Sequence, residues 1–351
     1  MYRKRVALTY AIAQALLYLC CFQFLFGIFV PGREPVQAAF GLLIYNLLAL
    51  SIPAFAGLLA DAGKFRSAAP VGLLAAAAGT AAVFFPWMGV FLCGIGSGLF
   101  FSGAGTDGVC YARGRCGRTG VFLFCSLGGS AAGSALGRMF LPFWPWPLLL
   151  LCAAGVFFFA HRDRVPKKIN GFSRNVTQRL PYGLSAVFCI TAIGLLRYLT
   201  AIHPYARRGG GEELFCMLCL GLGALAGSSL CDRLGPGRVC SSALLVCLPL
   251  FCLFSANLPL SLLGMFFAGI PLPSLFTTPV ACLNRYPAFA FGLSGLGVLW
   301  GVLPTFLIPA SADFVWTAAG LLLTAAVFCR LVLTNNQKVT GPWPSFRTRS
   351  S

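Results

Sequence analysis

Long apolar runs separated by short polar stretches repeat along this chain almost from end to end. Twelve of them approach or exceed the ~20 residues that carry an α-helix across a ~30 Å hydrocarbon layer. They are Val6 to Val30, Val36 to Ala60, Ala68 to Phe85, Trp87 to Asp107, Gly120 to Phe140, Pro142 to Ala160, Tyr182 to Ile202, Glu213 to Leu230, Val239 to Phe254, Leu260 to Cys282, Ala288 to Ile308 and Phe314 to Leu333. None alternates with the period of two expected of a half-buried strand, and a backbone inside lipid must satisfy its own polar groups. Each run therefore predicts a lipid-spanning helix. The hydrophilic stretch Arg162 to Leu180 divides six runs from six, and a polar, basic stretch with two prolines follows the last.

Composition agrees with this reading. The hydrophobic fraction is 58% and the charged fraction 10%, against roughly 45–50% and 25% in soluble domains. The net charge of +18 would raise the question of nucleic acid in a soluble chain. Here its distribution answers that question. With the N-terminus in the cytoplasm, strict alternation of twelve spans leaves only Arg33, Arg138, Arg207 and Arg208 on the far side and Arg197 inside the seventh span, and the remainder of the 26 Lys and Arg on the cytoplasmic side. That imbalance obeys the positive-inside rule and supports an even number of spans with both termini cytoplasmic. The charge is topological, and no nucleic acid partner is needed. The first run is long, carries no small-residue cleavage site and leads into a second span, so it is expected to stay as a helix. Asn175-Val176-Thr177 matches a glycosylation acceptor but falls on the cytoplasmic side.

One short pattern occurs twice. Gly57-Leu58-Leu59-Ala60-Asp61 closes the second run and is followed by Gly63, Lys64 and Arg66. Gly227-Ser228-Ser229-Leu230-Cys231-Asp232-Arg233-Leu234-Gly235 closes the eighth and is followed by Arg238. The two aspartates stand about half the chain length apart, which is the mark of a duplicated unit. The expectation is an all-α polytopic membrane protein of twelve transmembrane helices in two pseudo-symmetric six-helix halves, 1–161 and 182–334. A basic cytoplasmic linker at 162–181 joins them, and a basic disordered tail at 335–351 follows.

With those spans, that central loop and the Gly-to-Asp pattern after the second and eighth spans, the chain resembles the major facilitator superfamily of secondary transporters. The resemblance implies that Gly57, Asp61, Asp232 and Arg233 belong to the cytoplasmic loop motif, whose aspartate meets a helix terminus and neighbouring basic residues to lock the outward-open state. Ala62 replaces the motif's arginine in the first copy, and Ser228 its glycine in the second. Gly94-Ile95-Gly96-Ser97-Gly98 is similar to the family's glycine-rich fourth span, with Val90 in place of its arginine, and the fifth span lacks the Gly-Pro pair of drug antiporters. A narrower resemblance is to a short, largely uncharacterised bacterial branch. It rests on Tyr45-Asn46-Leu47-Leu48-Ala49, Gly105 with Asp107, Arg197 and Phe289-Ala290-Phe291-Gly292-Leu293. Ser102 and Ala224 stand where that branch often carries His and Lys.

Ionisable residues inside spans are costly and are functional candidates by default. Arg197 lies about fifteen residues into its helix, or roughly 23 Å from the cytoplasmic end. It is placed to bind an anionic group, to pair with Glu212 or Glu213, or to snorkel outward. Asp107, close to Arg113 and Arg115, reads as a gate ion pair. Gln14 and Tyr18 share a face of the first span, with Gln23 further out, and Tyr45 and Asn46 lie in the outer half of the second. With Arg197 these form the candidate substrate site near the midplane, and Gly57, Asp61, Asp107, Asp232 and Arg233 form the candidate gate. Gly129, Gly133 and Gly137 recur at helical spacing and predict close helix contact. Pro271, Pro273 and Pro279 interrupt the tenth span, and Trp144 with Trp146 read as interfacial anchors. The single CxxC, Cys216 with Cys219, and the distant His161 and His203 suit neither metal nor cofactor. The functional expectation is a transporter of a small organic solute in the lipid bilayer of the inner membrane, acting as a single chain. A transporter-like sensor or scaffold is the alternative, and no enzymatic constellation is evident.

Overall fold

A computed structural model describes residues 2–63, 68–112, 115–139, 145–161, 181–208, 210–283, 285–307 and 314–333. Lys64, Arg66, Arg113, the stretch 162–180 with Asn175-Val176-Thr177, and the tail after 333 lie outside these residues, as do Trp144 and the side chain of Trp146. The described chain is helical throughout, with no strand. The helices in order are α1 (Tyr2–Phe24, continued by a π-helical turn at Leu25–Phe29), α2 (Pro35–Asp61), α3 (Ala68–Ala81), α4 (Pro86–Ala112), α5 (Cys116–Arg138) and α6 (Pro145–His161). There follow α7 (Tyr182–Ile202), the short α8 (Pro204–Arg208), α9 (Gly210–Leu234), α10 (Pro236–Leu253), α11 (Leu258–Gly269), α12 (Leu272–Cys282), α13 (Pro287–Leu307) and α14 (Phe314–Leu333).

Among the described residues, ten apolar helices are long enough to cross a membrane, with α11 and α12 together forming one of them. The other two expected spans are shorter helices, α3 of 14 residues and α6 of 17. The third span was expected to reach Phe85, but α3 stops at Ala81. Phe85 precedes Pro86, whose ring disfavours helical backbone at the residue before it and instead opens α4. The fourth span runs beyond its expected end to Ala112, which leaves Asp107 inside the helix. The tenth span divides at Ile270 and Pro271, while Pro279 is accommodated within α12.

Small residues set which helices touch. A methyl group on Gly129 or Gly133 would collide with the α1 backbone at Ala15 or Leu19, and one on Gly137 would come 2.9 Å from Gln23 O, so the α5 glycine stripe seats α1. On α4, Gly96 faces α3, where a Cβ would fall 2.6 Å from Ala76 N, and Gly98 faces α2, 3.0 Å from Leu48 O. Helix α3 also packs against α6, α7 against α13 and α14, and α10 against α11 and α14. Two antiparallel pairings, α2 with α13 and α5 with α9, join helices of the first six to later ones. The outer surface is apolar: Phe40, Phe55, Phe91, Leu245, Trp316, Leu323 and Val327 are exposed along their helices. Such a surface is stable against lipid tails and not against water.

Candidate functional site

The repeated aspartates do the same thing twice. Asp61, the last residue of α2, accepts hydrogen bonds from the backbone N–H groups of Ala288 (3.2 Å) and Phe289 (2.9 Å), in the first turn of α13. Asp232, in the last turn of α9, accepts from Cys116 N–H (2.9 Å) and Gly117 N–H (3.1 Å), in the first turn of α5. A helix start exposes N–H groups without internal acceptors and carries partial positive charge, so a carboxylate there satisfies two donors and meets a favourable field.

Close packing behind each aspartate makes the reach short enough. Gly57, one turn before Asp61, lies against the α13 backbone, where a Cβ would fall 2.7 Å from Phe289 N. In the second copy Ser228 occupies that position, and the small residue has moved across the interface: a Cβ on Gly120 of α5 would sit 2.8 Å from Ala224 O and collide with Ser228. Substitution of the motif glycine by Ser228 is thus compensated by Gly120. Both α2 and α9 then stop near a glycine with left-handed backbone, Gly63 (φ 75°) and Gly235 (φ 91°), a conformation that costs glycine nothing. Arg233 projects from the last turn of α9 with an exposed side chain. Asp107 accepts a hydrogen bond from Tyr10 Oη at 2.7 Å, which ties α4 to α1.

Above these caps sits a cluster of four buried phenylalanines, of which only Phe291 belongs to a stretch that stood out in the sequence. Phe101 of α4 and Phe122 of α5 meet Phe276 of α12 and Phe291 of α13. Ring centroids are 5.0 Å apart for Phe101 and Phe291, 5.9 Å for Phe276 and Phe291, and 5.9 Å for Phe101 and Phe122. Gly105 makes room for the Phe291 ring. Aromatic edges and faces at these distances attract beyond the area they bury.

The next layer is a cavity of about 160 Å³. Tyr18 and Phe22 of α1, Tyr45 and Asn46 of α2, and Ser126 and Ser130 of α5 line it on one side. Arg197 and Thr200 of α7 with residues of α9, α12 and α13 line the other, and Phe101 and Phe276 belong to both cavity and cluster. Four of the six expected substrate residues, Tyr18, Tyr45, Asn46 and Arg197, are therefore brought together. Gln14 and Gln23 are buried in α1 outside the lining; Gln14 lies beside Tyr18 without an aligned hydrogen bond. Among the described residues, Arg197 is the one charged residue of the lining, and its Nη1 is buried without a hydrogen-bond partner. Glu213 contributes its field but is bonded elsewhere, to Arg138 at 2.7 Å. The π-helical turn at the end of α1 is held by Arg33, whose Nε donates to Phe29 O at 2.8 Å while its guanidinium stacks over the Phe29 and Trp87 rings.

No protein-family model and no curated protein matches the sequence. Known three-dimensional structures do. A variant of the E. coli fucose:proton symporter FucP superposes with a TM-score of 0.64 at 16% identity, covering 92% of this chain and 98% of that one. FucP in the outward conformation gives a TM-score of 0.61 at 16% identity, over 95% and 100% of the two chains. The human organic anion transporter TETRAN gives 0.63 at 18% identity, over 93% and 99%. This chain shares the fold of these transporters across nearly its whole length.

Proposed function

We propose that this chain is a secondary transporter that moves a small organic solute across the inner membrane by alternating access, caught with its cytoplasmic side closed. Its twelve spans form two six-helix halves, 1–161 and 182–334, joined by a cytoplasmic linker at 162–181 and followed by a cytoplasmic tail at 335–351. It works as a single chain. Support for the two halves comes from the pairings within them: α1 with α5 and α7 with α13, α2 with α4 and α9 with α11, α3 with α6 and α10 with α14. The basic residues Arg115, Arg233, Arg238 and Arg285 near the capped end support a cytoplasmic position for it.

The observation that carries the reading is the stacking order along the axis between the halves. Reciprocal Asp61 and Asp232 caps come first, then the four-phenylalanine plug, then a central cavity lined from both halves. Each cap bonds a helix of one half to a helix of the other, so opening the cytoplasmic side breaks both, and a rigid-body rocking of the halves does so together. The related structures include a fucose:proton symporter and an organic anion transporter, which places solute transport within the reach of this fold.

Cys116 supplies a test. Its thiol is buried beside Ser274 and Thr277, directly under the Asp232 cap. In proteoliposomes, Asp232→Asn is expected to raise the rate at which a membrane-permeant maleimide alkylates Cys116, read by peptide mass spectrometry. Each cap is worth about 1–2 kcal/mol, so the open population should rise about five- to thirty-fold. If alkylation stays at the wild-type rate in both single variants and in Asp61→Asn/Asp232→Asn, the rocking closure is wrong.

A further inference from the structure

The central cavity offers an unusual balance of polar groups. Its wall is mainly apolar and aromatic, with Phe22, Phe101 and Phe276 among its rings, and among the described residues it holds one cation and no carboxylate. Apart from the Tyr18 hydroxyl, most of its hydroxyl and amide donors are already used: Ser126 Oγ donates to Phe122 O (2.9 Å), Ser130 Oγ to Leu127 O (2.9 Å), Thr200 Oγ1 to Arg197 O (3.0 Å) and one N–H of Asn46 Nδ2 to Leu42 O (2.8 Å). Tyr45 Oη is paired with Ser97 Oγ at 3.0 Å. A sugar, which needs several donors and acceptors at once, finds few partners here.

Arg197 is different. Among the described residues it makes no ion pair and no side-chain hydrogen bond, and Nη1 is shielded from water. Glu213, whose field reaches it, already has Arg138 at 2.7 Å. Gly301 fixes the stem: a Cβ there would come 2.8 Å from Arg197 Cβ, so α13 holds that side of α7 close. An unpaired guanidinium in a low-dielectric cavity is costly. Its planar fork of donors matches a carboxylate better than any single neutral group.

Resting on the transporter reading above, we propose that the cargo is a monoanionic organic acid whose carboxylate pairs with Arg197 while its apolar or aromatic body fills the space between Phe22, Phe101 and Phe276. One fixed cation neutralises one negative charge, which favours monocarboxylates over phosphate esters and dicarboxylates. Ligand charge would also complete the site, so that the loaded cavity is neutral when the halves rock.

Purified protein in lipid nanodiscs, titrated with a panel of straight-chain and aromatic monocarboxylates from butyrate to decanoate and benzoate to phenylacetate, tests this. The matching amides, fucose and chloride serve as controls, and thermal midpoint shift is the readout. At least one carboxylate should stabilise the protein, its amide should not, and Arg197→Gln should weaken binding by about ten- to a hundred-fold. Arg197→Lys should retain part of it. Uptake of the same radiolabelled carboxylate into proteoliposomes should fall in parallel. A response to chloride alone, equal responses to acid and amide, unchanged binding in Arg197→Gln, or no response to any carboxylate overturns the inference. Cys116 alkylation in the same samples, which requires no cargo, reports the rocking closure separately and so distinguishes failure of the anion assignment from failure of the transporter reading.

Discussion

Single residues show most directly why the capped end holds. Asp61→Ala leaves the amides of Ala288 and Phe289 without their acceptor, a loss of about 0.5–2 kcal/mol by analogy with other helix caps. Hydrogen exchange of a peptide covering residues 285–295 should then accelerate, while the interior of α7 exchanges as before. Gly57→Val should do the same for a steric reason, because its added carbons meet the α13 backbone. An unchanged exchange rate in both would show that the cap is ornamental. At the opposite end, His203 is fully buried among the rings of Tyr205, Phe251 and Phe314, with centroids 6.0, 4.7 and 5.3 Å away. Burial pushes its pKa down from 6.5 to about 4. The unfolded chain therefore takes up a proton below pH 6.5 that the folded chain refuses until about pH 4, so the stability of neutral His203 is complete above pH 6.5 and is lost as pH falls through that window. The loss is about 3 kcal/mol at its full extent. His203→Phe should flatten the decline of the thermal midpoint between pH 6.5 and 4, and an equally steep decline in that variant would assign the effect elsewhere.

Among whole helices, α5 and α13 have equivalent duties. Each begins at the capped end, donates its first amides to an aspartate of a distant helix, α9 for α5 and α2 for α13, and passes the phenylalanine cluster on its way to the cavity. The plug joins four helices, so truncating one ring removes contacts on three sides. Phe291→Ala should lower the thermal midpoint, consistent with about 3–5 kcal/mol for a buried phenylalanine, and should also speed Cys116 alkylation. Phe251→Ala, equally buried but far from the plug, should lower the midpoint without speeding alkylation. If both variants speed it alike, general loosening and not a gate explains the result. The break between α11 and α12 belongs to the same layer. Pro271 and Pro273 remove backbone donors there, and α12 restarts with Ser274 and Thr277 turned toward Cys116 of α5. A proline-marked break was readable in the sequence, whereas its contact with the start of α5 was not.

Taken as a whole, the molecule has two caps on one closing surface. The double variant Asp61→Asn/Asp232→Asn should open the capped side further than either single one, with the free-energy changes adding, since the caps share no partner. The apolar runs alone determined the helical class, most of the span positions and the membrane setting, because hydropathy over ~20 residues is a property of each segment by itself. They also exposed Arg197 and the paired aspartates, since charge at the edge or middle of an apolar run needs no three-dimensional information to notice. Shorter α3 and longer α4 departed from expectation where proline and helix continuation, not hydropathy, decided the ends. Tertiary structure alone decided what the charges do. Asp61 meets amides 227 and 228 positions away, Glu213 is taken by Arg138 and leaves Arg197 unpaired, and Gln14 and Gln23 are buried outside the cavity lining while Tyr18 joins it. Those outcomes depend on which helix faces which, and that is set by glycine-sized contacts between distant segments that no local pattern along the chain records.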